Sequence, residues 1–253
     1  MLCYCGNRIY RKRNSGFNPK IIMVRRIFAV IFLLLVFPSL SFAGKLIDVS
    51  PEGYILYLPG KLSAENKAPV LVCLPGFGMS AKSEMNNWVF PAETNGFIAV
   101  VLEIDYNKIR SEEDIKNLCK RITGIVRNIC EKYPGNGKKI YLSGTSAGGM
   151  TSITLGLMFP EKFPVIGVVS GGRFGFNTRA NLKNAGKCAF YMAHGAKDES
   201  IPISEFHVVR KELEKYSAKV KYEVFPDNAH VLPSRAYKDV LSWMAARQEV
   251  TAE

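Results

Sequence analysis

Downstream of Leu46 the chain alternates between short, nearly unbroken apolar runs and longer stretches in which apolar residues recur every three or four positions. Unbroken runs suit strands buried on both faces of a parallel sheet, and the wider spacing suits helices laid over it. Tyr54–Leu58 and 70–74 read as early strands, and 97–104 as a central one. A helix is predicted from Ser111-Glu112-Glu113-Asp114, a capping box in which the serine and a carboxylate three residues on satisfy each other's backbone N–H groups. Its apolar stripe, Ile115, Leu118, Ile122, Val126 and Ile129, reads as core, and Pro134-Gly135 ends it. Next come a strand over 139–143, a helix over Ala147–Met158 stopped by Pro160, a strand over Val165–Val169 and a loop over 170–187. An apolar run over 188–193 ends at His194-Gly195, and Ile201-Pro202 opens another helix. Residues 222–226 are a strand, and 233–247 a closing helix with proline in its first turn. This alternation predicts an α/β fold with a mostly parallel central sheet and helices on both faces. No repeat, linker or low-complexity tract interrupts it.

Charge changes the picture at the amino end. Met23-Val24-Arg25-Arg26 precedes an apolar run over 27–37, and Pro38-Ser39-Leu40-Ser41-Phe42-Ala43 follows. That is a charged region, an apolar segment too short to span a bilayer, and a small-x-small site, so a signal peptide cleaved after Ala43 is expected, with Met23 as the true start. An uncleaved anchor is the alternative, disfavoured by the short apolar segment. Residues 1–43 hold seven Lys and Arg and no acid, so without them the formal charge falls from +12 to +5. The basic balance is a targeting feature, and no basic and aromatic stripe remains to support nucleic-acid binding. Residues 44–253, about 210 in number, suit one α/β domain with a sizeable core. Export to the periplasm or beyond is the expected fate.

Of six cysteines, Cys3 and Cys5 precede the expected cleavage site. Cys73 and Cys188 fall in core strands expected not to be neighbours, and Cys119 and Cys130 share one helix about 16 Å apart. Buried free thiols are expected, although export permits a bridge between elements. No metal-ligand spacing such as Cys-x2-Cys is present, so no metal is expected.

The candidate chemistry begins at Gly144-Thr145-Ser146-Ala147-Gly148, where a predicted strand runs directly into a predicted helix. Gly-x-Ser-x-Gly alone is a common short string. In a strand-turn-helix context it is a nucleophile elbow, which holds the serine hydroxyl out from the chain on a sharp turn. A serine needs a general base, an acid to orient that base and donors for the oxyanion. Three histidines compete: His194 at a strand end, His207 inside a helix beside Val208 and Val209, and His230 in the polar loop just past a strand. His230 stands where open α/β sheets place their chemistry and is the expected base. An acid lying between nucleophile and histidine in chain order points to Asp198, since no carboxylate occurs between Glu161 and Asp198. Glu199 is the fallback, and Asp227 suits a local turn better; a plain turn or helix-entry role for Asp198 is the disfavoured alternative. The backbone N–H groups of Ala147 and of Phe77, in Pro75-Gly76-Phe77-Gly78-Met79, are the expected oxyanion donors.

Together these segments resemble the α/β-hydrolase superfamily, particularly its small carboxylesterase, dienelactone hydrolase and polyhydroxybutyrate-depolymerase-like branches. The carriers, spread over 69–243, are Leu74-Pro75-Gly76-Phe77-Gly78, Gly144-Thr145-Ser146-Ala147-Gly148-Gly149, His194-Gly195-Ala196-Lys197-Asp198 with Ile201-Pro202, and Asn228-Ala229-His230-Val231. Pro75 departs from the histidine the family often places there, which removes a side chain that braces the loop. The resemblance implies a serine esterase that needs no cofactor and acts on a small ester or a polymer- or polysaccharide-linked acyl group. A prolyl-oligopeptidase-like peptidase shares the triad but carries a gating domain for which this chain is too short. A binding protein on a hydrolase scaffold is expected to have lost a triad member. Met79, Trp88, Phe174 and Val231 are expected to line the substrate site beside Phe77. Loop 170–187 adds Arg173, Arg179, Lys183 and Lys187, with Phe174 and Phe176 and no acid; a rim for an anionic or aromatic substrate and a solvated loop are both open, the second favoured. Neither a nucleic-acid partner nor a stable membrane span after leader removal is expected.

Overall fold

The central strands are apolar on both faces, and that two-sided burial dictates the layering. A computed structural model describes residues 44–175 and 178–247, so the expected leader over 1–43 and the aromatic Phe176 lie outside the described residues. Eight strands form one sheet: β1 (Lys45–Val49), β2 (Tyr54–Leu58), β3 (Ala68–Leu74), β4 (Ile98–Leu102), β5 (Gly135–Thr145), β6 (Val165–Val169), β7 (Ala189–Gly195) and β8 (Lys219–Phe225). Their spatial order is β1-β2-β4-β3-β5-β6-β7-β8. The first two pairings, β1 with β2 and β2 with β4, are antiparallel, and all the others are parallel. The expected mostly parallel sheet is therefore present.

Alternate residues of β3 and β4 go to opposite cores. Leu71, Cys73, Ala99 and Val101 pack with α1 (Ala81–Asn95) and α5 (Ser234–Ala245), through Trp88, Tyr237 and Val240. Val70, Val72, Leu74, Ile98 and Val100 pack on α2 (Glu112–Lys132), through Ile115, Ile122, Val126 and Ile129. Toward β7 the second face is closed by α3 (Ala147–Met158) and α4 (Ile203–Lys215), which bury Ile153, Phe206 and Val209 against Ile166, Phe190 and Met192. Helices on both faces thus follow from side chains that alternate along strands with no polar face. The capping box of α2 forms as expected: Ser111 Oγ accepts from Asp114 N at 3.2 Å and Asp114 Oδ2 accepts from Ser111 N at 2.8 Å.

Three elements differ from expectation, the first being strand β1, which the sequence reading does not include. Helix α1 has no clean apolar stripe and carries Pro91 inside it. Its termini are well marked, with Ser80 Oγ accepting from Ser83 N at 3.2 Å and Gly96 left-handed at φ 69. The loop over 170–187 is partly ordered as a 3-10 helix at Arg179–Lys187. The four described cysteines are free, as expected, with Cys73, Cys119 and Cys188 buried. Burial pushes the Cys188 thiol up to about 12, so it behaves as a small apolar residue. Among the described residues no helix is long and apolar enough to cross a membrane.

Candidate active site

Strand β5 ends at Thr145 and α3 begins at Ala147, so the whole turn falls on Ser146, which adopts φ 54 and ψ −117. That backbone is strained for any residue with a side chain. The flanking glycines are required by close approach. A Cβ at Gly144 would stand 2.3 Å from the carbonyl carbon of Gly148, and one at Gly148 would stand 2.0 Å from the carbonyl oxygen of Leu74. The turn is pinned by Ser146 N donating to Val169 O at 2.8 Å and Met150 N donating to Ser146 O at 3.0 Å.

Beneath the elbow lies a polar cluster that the hydrophobic pattern does not foreshadow. The carboxylate oxygen Oε1 of buried Glu84 accepts from Thr145 Oγ1 at 2.7 Å and from Trp88 Nε1 at 2.8 Å. Burial raises the Glu84 carboxyl above its ordinary 4.5, with the bonds from Thr145 and Trp88 opposing that rise. Its stabilising contribution is therefore complete below about 4.5 and is lost as pH rises through the higher folded-state value. Glu84→Gln retains the Oε1 acceptor and cannot ionise. Denaturant unfolding at a series of pH values is expected to show the variant gaining stability relative to wild type from pH 4.5 upward. A difference that stays constant with pH would exclude this role for the charge.

The loop after β8 carries His230 back over the elbow. Its Nε2 is 2.8 Å from Ser146 Oγ, and its Nδ1 is 2.8 Å from Asp198 Oδ2. Asp198 is buried just beyond β7, and its Oδ1 accepts from Ser200 N and Ile201 N, both at 2.9 Å. The same carboxylate thus serves both readings of the sequence, shaping the turn with one oxygen and meeting the histidine with the other. Of the two competing acids, Glu199 is exposed and Asp227 pairs with Lys197 at 3.2 Å. His207 sits on α4, against the rings of Phe206 and Tyr222, as a packing residue. His194 lies wholly buried at the end of β7.

The loop after β3 faces the other side of Ser146. Gly76 places it there: a Cβ at this position would meet Met79 Sδ at 2.9 Å and Ser146 Cβ at 3.6 Å. Among the described residues, neither the Phe77 N–H nor the Ala147 N–H has a hydrogen-bond partner. Tyr106 is a site residue that the sequence does not reveal. Its hydroxyl donates to Pro75 O at 2.6 Å and its ring stacks on Phe77 at 6.5 Å. Tyr106 supplies the bracing that Pro75 cannot. Its position just past the carboxyl end of β4 is the available signal.

Of the expected substrate contacts, Phe77 is 64% exposed and Val231 81% exposed, and Met79 is half-buried beside Ser146. Trp88 is a correction. It is wholly buried on α1, edge-on to Tyr237 at 5.2 Å, because its indole is held inward by Glu84. Phe174 is a second correction: the Arg179 guanidinium covers its ring at 4.4 Å, and it lines a recess with Arg173, Val208 and Val209 that includes no member of the triad. Arg173 itself is held by Glu205 through two bonds of 2.5 and 2.7 Å, so this cation is neutralised locally.

Residues 99–247, more than half of the chain, match the model of the phospholipase/carboxylesterase family. The chain belongs to that family. Its members are carboxylic ester hydrolases of the α/β-hydrolase superfamily, in agreement with the resemblance read from the motifs. Feruloyl esterase B of Thermothelomyces thermophilus is 28% identical over 132 residues, covering 47% of this chain and 44% of that protein. The match thus spans less than half of that relative's length. Two of the solved structures that share the fold illustrate the likeness. An S-formylglutathione hydrolase from Agrobacterium tumefaciens aligns with a TM-score of 0.61 at 14% identity, covering 84% of this chain and 98% of that one. A fluorophosphonate-binding serine hydrolase from Staphylococcus aureus aligns with a TM-score of 0.64 at 16% identity, covering 80% and 98%.

Proposed function

We propose that this esterase-family protein hydrolyses carboxylic esters through an acyl-enzyme on Ser146. The observation that carries the reading is the unbroken relay from Ser146 Oγ through His230 to Asp198, with both contacts at 2.8 Å. His230 Nε2 takes the hydroxyl proton as Oγ attacks the ester carbonyl, and Asp198 holds the Nδ1–H and stabilises the imidazolium. The N–H groups of Phe77 and Ala147 receive the oxyanion, aided by the positive amino end of α3. Collapse of the tetrahedral adduct breaks the bond to the alcohol, which leaves with the proton from His230. Water then repeats the sequence on the acyl-enzyme, releasing the acid and restoring the serine.

The exposed side chains of Phe77, whose own N–H is a proposed oxyanion donor, and of Val231, next to His230, support an apolar acyl group lying across an open site. Such a site suits a small ester or an acyl group carried on a polymer. The relative named a feruloyl esterase supports an aromatic acyl group. The segment over 23–43 supports export as its route.

Rapid mixing with a p-nitrophenyl ester tests the reading. A burst of p-nitrophenol equal to the enzyme concentration, followed by slower turnover, is the expected result when deacylation limits. Release of p-nitrophenol that is unchanged in Ser146→Ala would overturn the proposal.

A further inference from the structure

Two carboxylates among the described residues are buried, Asp198 and Glu84, and the proposed chemistry uses only the first. Glu84 is wholly buried, and among the described residues no cation pairs with it. A buried carboxylate without a cation is costly, and an apolar side chain would pack α1 at less cost. Two of its bonds come from its own helix: Trp88 Nε1 donates to Oε1 at 2.8 Å, and Asn87 Nδ2 to Oε2 at 3.4 Å. The bond that leaves the helix comes from Thr145 Oγ1, at 2.7 Å, and Thr145 is the last residue of β5 before Ser146. The Tyr237 hydroxyl stands 3.5 Å from the same atom, beyond the range of a good O–H···O bond, so the Thr145 proton is committed to Glu84.

The place of this bond in the chain makes it a tie across the oxyanion site. The loop that carries Phe77 leaves β3 at Leu74 and enters α1 at Ala81, with Glu84 in the first turn of that helix. At its near end the loop is held by the sheet, where Leu74 is paired with Gly144 of β5. At its far end it is held to β5 through Glu84 and Thr145. Between the two, the loop already touches the elbow, since a Cβ at Gly148 would stand 2.0 Å from Leu74 O and 2.6 Å from Pro75 O. Steric contact sets how near loop and elbow can come; a bond is needed to set how far.

We propose that Glu84 is a positioning residue that acts through Thr145 to set the distance between the two oxyanion donors, the N–H groups of Phe77 and Ala147. The inference rests on the serine esterase reading above. The Phe77 N–H rides on the loop that runs into α1, and the Ala147 N–H stands two residues past Thr145. An oxyanion needs both donors at about 2.7–3.1 Å together, so a gap widened by about an ångström loses one of them. Binding of the planar ester is little affected, because the interaction gains its strength only as charge develops on the oxygen.

Thr145→Val keeps the shape of the side chain and removes the donor. With active molecules counted by fluorophosphonate titration, its kcat for a short-chain ester is expected to fall roughly ten- to a hundredfold, with KM changed by no more than about twofold. Affinity for a trifluoromethyl ketone should fall by the same factor as kcat. In that adduct Ser146 Oγ bonds to the ketone carbon, His230 takes the hydroxyl proton, and the carbonyl oxygen becomes an oxyanion on the same two donors. Thr145→Ser keeps the hydroxyl and Glu84→Gln keeps an acceptor at Oε1, so both are expected to recover the two measures, whereas Glu84→Leu should resemble Thr145→Val. A purely structural bond would lower the thermal midpoint of Thr145→Val and leave its kcat and ketone affinity per active molecule at wild-type values, which would overturn the proposal. A raised KM at unchanged kcat would overturn it as well, as would Thr145→Ser or Glu84→Gln behaving like Thr145→Val. Absence of esterase activity in wild type would instead count against the serine esterase reading, which separates the two failures.

Discussion

Ser146→Ala is expected to lower kcat/KM for a short-chain ester by about 10⁵ or more, with KM little changed. In the proposed mechanism the hydroxyl is the atom that forms the acyl bond, and it is the group that His230 Nε2 meets at 2.8 Å. His230→Ala is expected to cost nearly as much, because an unassisted serine hydroxyl is a weak nucleophile at neutral pH. The two losses should not add. Residues that act as one unit show most of the loss on the first deletion, so the double variant should match either single one to within about tenfold. Steady-state kinetics on the three variants checks this. What remains in all of them should be the residual catalysis of the backbone donors at Phe77 and Ala147, about 10³-fold over water.

The largest expected effect on stability is at Gly148. A Cβ there would stand 2.0 Å from Leu74 O and 2.6 Å from Pro75 O. Both are backbone atoms of β3 and the loop that follows it, so no rotamer change can relieve the clash. Either α3 must lift from the sheet or the loop carrying Phe77 must move. Gly148→Ala is therefore expected to destabilise by about 4 kcal/mol or more, well beyond a typical single substitution. Any folded fraction should have lost activity as well, since the loop and the elbow are displaced together. Gly124, inside α2, provides the contrast. A Cβ there meets nothing within 4 Å, and Gly124→Ala is expected to stabilise by about 0.5–1 kcal/mol through helix propensity. Thermal unfolding of the two alanine variants tests both signs at once.

Much of this architecture is legible in the amino-acid sequence, for identifiable reasons. The strands around β3 and β4 announce themselves because both faces are buried and nearly every residue must be apolar. The elbow is legible because close backbone approach at Gly144 and Gly148 admits only glycine, and His230 and Asp198 because the loops past β8 and β7 carry few alternatives. Other features are hidden by different physics. Helix α1 is hidden because a buried Glu84 and an interior Pro91 blur its apolar stripe. Trp88 misleads because an aromatic residue near a loop looks like a substrate contact, whereas its indole N–H is committed to Glu84 beneath the elbow. Phe174 looks available in the sequence, yet Arg179 covers its ring. Tyr106 acts through a hydroxyl on a backbone carbonyl, a contact that leaves no spacing pattern in a sequence.

The site is consequently built in two layers. In the proposed mechanism the outer layer, Ser146, His230 and the exposed Phe77 and Val231, meets the substrate. The inner layer consists of buried Glu84 under Thr145 and buried Asp198 behind His230. Polar groups buried this deeply are costly unless bonded, and both inner carboxylates are bonded, Glu84 to Thr145 and Trp88 and Asp198 to His230, Ser200 and Ile201.

Ser146, as the proposed nucleophile, should become covalently modified. The most direct measurement is mass spectrometry of the intact protein, and then of its peptides, after reaction with a fluorophosphonate. One adduct per chain is expected, on the peptide that contains Ser146, absent from Ser146→Ala. No adduct on the folded protein, or an adduct that persists in Ser146→Ala, would contradict it.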